Sequence, residues 1–257
     1  MDKTPVTNLQ FGQFVEATGH ITLAEIAPTI ADYPDADPAL LRAGSAVFRG
    51  TTEPVTLNDH SRWWIYKFGA SWRDPWGDGR GIAHLPNHPV VQIAYADALA
   101  YAAWAGKKLP SEVQWEYAAR AGSDLPYLWG NTLEPDGNIL ANYWRGDFPW
   151  RNLSTHAATG TSPVGSFPPN RNGLYDMIGN VWEWTTSVFT TSRASAPSCC
   201  SPPCAANNAP PLVLKGGSYL CAANYCRRYR PAARHSQMAD SPTNHIGFRC
   251  IAIAPTP

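Results

Sequence analysis

Apolar and polar positions follow a helical period in only a few stretches of this chain. Near the N-terminus, Thr7-Asn-Leu-Gln10 is a capping box, with a hydroxyl residue followed three positions later by an amide. It predicts a helix to about Thr18, closed by Gly19. Phe11, Phe14 and Val15 fall on one face of that helix and form its buried stripe. An Ala-rich stretch predicts a second helix from Tyr95 to Ala105, ended by Gly106. Ser111-Glu-Val-Gln114 is another capping box and opens a third helix that Gly122 ends. Val90 to Ile93, Val213 to Lys215 and Phe248 to Ile253 read as strands.

Between these elements the pattern is weak. Residues 28–90 are rich in Pro, Gly, Asp and Trp and include Trp63-Trp64 and Gly69-Ala-Ser-Trp72-Arg-Asp-Pro75. An aperiodic stretch of that length is uncommon and often functional. Beyond Tyr127 short segments alternate with turn signals, and Ser192 to Pro211 reads as a loop. No internal repeat or linker divides the chain, so one domain over residues 1–257 is expected.

Composition narrows the function classes. Twenty Lys and Arg balance twenty Asp and Glu, and no basic stripe is present, so neither nucleic acid nor an anionic membrane is an implied partner. Twenty-four prolines, twenty glycines and eleven tryptophans predict a loop-rich fold held by an aromatic core. No apolar run approaches the roughly 18 to 20 residues that a transmembrane helix needs. Met1-Asp-Lys-Thr-Pro leads into an amphipathic segment rather than the apolar core of a secretory signal, so no signal peptide is expected. The six cysteines, at 199, 200, 204, 221, 226 and 250, all lie in the last quarter of the chain. A disulfide-stapled secreted domain would spread them more evenly. Cys199, Cys200 and Cys204 also lack the paired spacing of a tetrahedral zinc site.

Cys221 and Cys226 carry the sharpest chemical signal. Their offset of five turns roughly 140° past a full helical turn, and in a strand it puts the thiols on opposite faces. The sulfurs meet only on irregular backbone, and Gly216-Gly217 just upstream suits such a bend. A converged thiol pair is a structural disulfide, a redox couple or a two-sulfur site for a soft ion such as Cu(I).

The surrounding residues add a family resemblance. Lys215-Gly-Gly-Ser218-Tyr-Leu-Cys221-Ala-Ala-Asn-Tyr225-Cys226-Arg-Arg-Tyr229-Arg230-Pro-Ala-Ala-Arg234 resembles a string found in the formylglycine-generating enzymes, or sulfatase-modifying factors. His88-Pro-Val-Val-Gln92, Leu109-Pro-Ser-Glu-Val-Gln-Trp-Glu-Tyr-Ala-Ala-Arg120, Asn172-Gly-Leu-Tyr-Asp176-Met-Ile-Gly-Asn-Val-Trp-Glu183-Trp184 and His245-Ile-Gly-Phe-Arg-Cys250 extend it from about Thr4 to Cys250. The resemblance implies a mixed α+β fold of the C-type-lectin-like kind with little regular structure. It also implies that the family's most N-terminal strands, with their Gly-Gly-x-Phe-x-Met-Gly-type motif, are lacking here.

The same resemblance implies a chemistry. Cys221 and Cys226 would bind Cu(I), and with O2 a cysteine in a Cys-x-Pro-x-Arg segment of an unfolded or nascent sulfatase-type polypeptide would become Cα-formylglycine. Cys226 would exchange with substrate, and Cys221 would be the more buried partner. Ser218 would join the catalytic set. Trp72, Trp182, Tyr225 and Arg234 would bind substrate. Asp176 and Glu183 would give carboxylate oxygens, and Gly179 and Val181 carbonyls, to a structural Ca2+, a hard cation suited to such oxygens. Asn142 and Tyr143 match the first part of a second calcium site, but its later aspartate is His156 here, a poor ligand for a hard cation. Ala119 and Pro231 stand where animal relatives carry disulfide cysteines, which suits a bacterial, cytoplasmic enzyme; a monomer is expected. Two rival readings use the same scaffold. A non-catalytic lectin-like binding module would not need both cysteines. An iron-dependent sulfoxide synthase would need a His-x-x-x-His-x-Glu-type motif, which the seven scattered histidines do not supply.

Overall fold

The computed structural model describes residues 1–156, 158–190 and 210–253. Helix α1 (Asn8–Thr18) forms where the first capping box predicts it: the Thr7 hydroxyl accepts from Gln10 N, and Gly19 takes the left-handed conformation at the end. Its Phe11 and Phe14 pack on Tyr101 of α2 (Tyr95–Trp104), at 5.9 and 5.6 Å between ring centroids. Phe11 also meets Trp72 and Phe248, which ties the N-terminal helix to an aromatic core. Helix α3 (Glu112–Arg120) starts at the Ser111 capping box and ends with Ala121 left-handed, one residue before Gly122.

The sheets are short. β1 (Gly44–Phe48) and β2 (Trp64–Phe68) form an antiparallel hairpin inside the stretch that showed no periodicity. Phe48, Trp63 and Trp64 then pack with Trp144 and Phe148 as a second aromatic cluster. β3 (Lys107–Lys108) pairs with β8 (Ile251–Ala252). The main sheet has the order β6-β5-β4-β7, with β4 (Trp182–Val188), β5 (Leu212–Lys215), β6 (His235–Gln237) and β7 (Ile246–Gly247). Pairing is antiparallel except between β4 and β7.

Two expected strands are corrected. Val90 to Ile93 is buried but forms no strand, because Gln92 is left-handed (φ 62°) and breaks the pleat. The segment is still stitched in, through Val90 N to Val6 O and Gln92 N to Thr243 O. Of Phe248 to Ile253 only β8 is a strand, paired with β3; β7 of the main sheet ends just before the expected range. The expected loop over Ser192 to Pro211 lies almost wholly outside the described residues, as do Cys199, Cys200 and Cys204.

Helix α3 lies over the main sheet through buried charges. Trp115 Nε1 donates to Glu183 Oε2 at 2.7 Å, and Lys215 Nζ donates to Glu116 Oε2 at 2.8 Å. Glu183 is also gripped by Arg249, with Nε to Oε2 at 2.7 Å and Nη2 to Oε1 at 2.8 Å. Arg249 spends its remaining donors on the carbonyls of Asp2, Lys3 and Tyr175. Neither side chain of the pair reaches solvent. Removing one partner strands the other charge, so Arg249→Met is expected to cost about 3–5 kcal/mol of stability. Urea titration of the variant against the parent chain checks this; a loss under about 1 kcal/mol, the range of an exposed pair, would contradict it.

Candidate active site

β5 runs directly into two left-handed glycines, Gly216 (φ +96°) and Gly217 (φ +79°). A Cβ on Gly217 would come within 2.9 Å of Arg228 O and Tyr229 Cα, and one on Gly216 would press on the Trp115 ring at 3.1 Å. The bend therefore needs glycine on grounds of both conformation and space. The chain then turns twice, with Cys221 N on Ser218 O at 2.9 Å and Cys226 N on Ala222 O at 3.0 Å. These turns overcome the awkward offset of five and bring the two sulfurs to 3.5 Å. Both are free thiols, since a disulfide would hold them at about 2.05 Å. Cys221 is 1% exposed and Cys226 is 7% exposed.

Charge around the pair favours ionisation. Burial pushes the Cys221 thiol up, but the hydrogen bond with Cys226, the Ser218 N–H at 3.5 Å and the nearby Arg228 hold it below the ordinary thiol value. The thiolate form of Cys221 is thus favoured relative to an ordinary cysteine.

Aromatic and polar side chains wall the turn. Tyr225 stacks flat on Phe148, with centroids 4.5 Å apart and planes 3° from parallel, and meets Trp63 edge-on. Trp144 N donates to Cys221 O at 3.0 Å, which pins the turn to this cluster. Trp182 stacks on His235 at 5.3 Å, and His235 Nδ1 accepts from Arg228 Nη1 at 2.7 Å. Ser218 Oγ sits 3.1 Å from His245 Nδ1.

Comparison with known proteins fits this geometry. Residues 1–254 match the model of the sulfatase-modifying factor enzyme 1-like domain. The formylglycine-generating enzyme of Mycobacterium tuberculosis is 52% identical, over 98% of this chain and 86% of its own length. That of Streptomyces coelicolor is 43% identical, over 97% and 76%. The inactive Cα-formylglycine-generating enzyme 2 of Bos taurus is 36% identical, over 100% and 78%. The chain belongs to the sulfatase-modifying factor enzyme family. Its expected fold is borne out as well: PvdO from Pseudomonas aeruginosa, at 23% identity, superposes with a TM-score of 0.57 over 96% of this chain and 77% of that one.

Of the other residues expected from the family pattern, Gly179 touches the glycine bend, its N–H donating to Gly216 O at 3.0 Å, while Trp72 and Arg234 make their contacts elsewhere. Trp72 packs on Phe11 and under Arg73, beside a groove of about 670 Å³ lined by Gln13, Glu16 and His20. Arg234 faces α3: its Nη2 donates to Glu112 Oε2 at 3.0 Å, and its guanidinium lies over Phe189. Asp176 is buried and left-handed (φ 55°), with Oδ2 accepting Gly165 N–H at 2.8 Å. Burial pushes its carboxyl up to about 6 despite that bond and the Arg249 charge, so its negative charge is under-compensated. A Cβ on Gly179 would come 2.3 Å from Asn142 O, so these two backbones touch. Val181 is buried next to β4. Glu183 is committed first to Arg249 and Trp115, which leaves one lone pair on Oε1. Among the described residues Asn142 Oδ1 is buried without a protein partner, while Tyr143 donates its hydroxyl to Glu134 Oε1 at 2.5 Å. Among the described residues no group of three or more His, Cys, Asp or Glu side chains is placed to hold a metal.

Sequence reasoning missed Arg228, His235 and His245 as neighbours of the turn. Two of them stand inside the family motifs, but only the folded chain reveals their partners. The ranking of the thiols is testable. Brief alkylation of native reduced protein, mapped by peptide mass, is expected to label Cys226 before Cys221 and to spare Cys250, whose thiol burial pushes up to about 12. Equal labelling of Cys250 and Cys226 would contradict the structure.

Proposed function

We propose that this chain oxidises a cysteine of a sulfatase-type polypeptide to Cα-formylglycine, with Cu(I) held by Cys221 and Cys226 and O2 as oxidant. The observation that carries the reading is the pair of free thiols 3.5 Å apart on the glycine-bent turn. The residues fit the metal: two soft donors, one already inclined to ionise, suit a low-coordinate soft ion and leave room for a third sulfur from substrate. Bound copper would supply one-electron chemistry toward O2.

The balance of the reaction is fixed by its product. The substrate Cβ–S bond breaks, sulfur leaves as hydrogen sulfide, and Cβ becomes an aldehyde. O2 takes four electrons, two from the cysteine and two from an external thiol-class reductant. One of its oxygens is accounted for by the aldehyde and the other leaves as water. The chain's own side chains have simpler tasks. Ser218 meets the Cys221 sulfur through its backbone N–H, and Tyr225, stacked on Phe148 and edge-on to Trp63, forms an aromatic wall along the turn. Cys226, the more exposed thiol, faces exchange with substrate. The substrate is proposed to be an extended Cys-x-Pro-x-Arg segment, bound through backbone and a few pockets. Among the described residues no helix is long and apolar enough to cross a membrane.

Replacing either cysteine by serine exchanges a soft donor for a hard hydroxyl. Cys221→Ser and Cys226→Ser are expected to keep their melting curves, lose Cu(I) binding in anaerobic titration and fall to near-background peptide oxidation. A structural disulfide predicts the reverse, with early melting and activity in proportion to the folded fraction. Folded, active variants would overturn the reading.

Calcium is proposed as the structural ion, held by Asp176, the carbonyls of Gly179 and Val181, and the remaining lone pair of Glu183. The under-compensated Asp176 supports it. Calcium at about a hundredfold over its Kd would add about 2.7 kcal/mol. That corresponds to a Tm rise on the order of 5–10 °C for a chain of this size. Asp176→Ala is expected to abolish the rise while leaving copper stoichiometry intact. The same melting temperature with calcium and with chelator in the parent chain would rule this ion out.

A further inference from the structure

The Ser218 hydroxyl is held from two sides. It accepts Leu220 N–H at 3.2 Å, and it lies 3.1 Å from His245 Nδ1. The backbone N–H of the same serine points at Cys221 Sγ at 3.5 Å. His245 is itself fixed. Its ring meets Trp64 edge-on at 5.1 Å, and its carbonyl accepts Trp182 N–H at 2.9 Å. The residue before it also clamps the turn, because Tyr219 donates its hydroxyl to Asn244 O at 3.1 Å. We propose that His245 is a positioning residue for the cysteine chemistry: its Nδ1 sets the direction of the hydroxyl of Ser218, the residue whose N–H meets Cys221 Sγ. This inference rests on the function proposed above.

An alternative role for a histidine beside a serine is proton transfer. Full burial holds the imidazole far below its ordinary value, to about 3, so it stays neutral wherever the protein is assayed. A neutral ring that does not titrate serves as a fixed hydrogen-bond partner. Its position between the β7 edge of the main sheet and the β1–β2 hairpin also explains why the turn does not rely on its own local hydrogen bonds alone.

Two amides separate a bond at Nδ1 from mere bulk. The Asn amide can overlay Nδ1, whereas the Gln amide reaches the position of Nε2. His245→Asn is expected to keep kcat near the parent value on a cysteine peptide. His245→Gln is expected to lose about 10–100-fold in kcat, the scale of a roughly 1 Å misplacement, with KM changed less than about twofold. In a Ser218→Ala background His245→Gln should cost nothing further, because the two act as one unit. In 15N-histidine-labelled protein, Ser218→Ala should shift the His245 Nδ1 resonance. Equal activity of the Asn and Gln variants, losses that multiply in the double variant, or an unmoved Nδ1 resonance would each overturn the inference. An inactive parent chain would instead fail the proposed function, and the resonance would still report the contact.

Discussion

The buried pair of Glu183 and Arg249 is the constraint on which the rest of the structure depends. Taking two charges out of water costs several kcal/mol per ion, and only full hydrogen bonding offsets it. Here the offset is complete: the guanidinium's donors go to both Glu183 oxygens and to three carbonyls, and Trp115 adds a further donor to the carboxylate. Those partners come from the N-terminus, α3, β4 and the segment after β7. A pair this specific tolerates one arrangement of these elements. Nonpolar packing alone would tolerate several.

The pair also fixes strand register. Because side chains alternate along β4, Glu183 facing α3 forces Trp182 and Trp184 to the opposite face. Trp184 then donates to Ile93 O, and Trp182 meets His235. The parallel pairing of β4 with β7 sets Trp182 against Ile246, so His245 arrives beside it and reaches Ser218. On the neighbouring strand the register puts Lys215 opposite Glu183, also toward α3, where Glu116 receives it. The cysteine turn begins at the next residue. Its location is therefore decided by two buried charges on adjacent strands, and its shape by the two glycines that follow.

Local chemistry in the sequence predicted local structure well. Both capping boxes formed, because cap and amide lie within one turn and need no distant partner. The meeting of the two thiols was legible only in part: Gly216-Gly217 suited the irregular backbone it requires, and the family resemblance supplied the rest. The β1–β2 hairpin was not, since its strands are separated by a long connection and are stabilised by Phe48, Trp64 and Trp144 rather than by alternation. Gln92 shows the converse: an apolar run suggested a strand, but one left-handed residue defeated it. The neighbours Arg228, His235 and His245 were invisible for a third reason. Their contacts join loop residues to strand ends or to other loops, Arg228 to His235 and His245 to Ser218, and no regular spacing in the chain encodes them.

The described cysteines show how environment divides one residue type into two roles. Cys250 and Cys221 are almost equally inaccessible, so exposure does not distinguish them. Cys250 meets burial with only Lys107 to offset it, and the charges of Asp2 and Glu183 add to the penalty. Cys221 meets the same burial, but the Cys226 thiol, the Ser218 N–H and the Arg228 charge converge on its sulfur. A thiolate is the soft donor and the nucleophile, so only the second setting prepares a sulfur for chemistry. The donors at Cys221 are backbone and side-chain groups of the turn itself. The bend made by Gly216 and Gly217 therefore does more than bring two sulfurs together; it also folds the compensating donors around them.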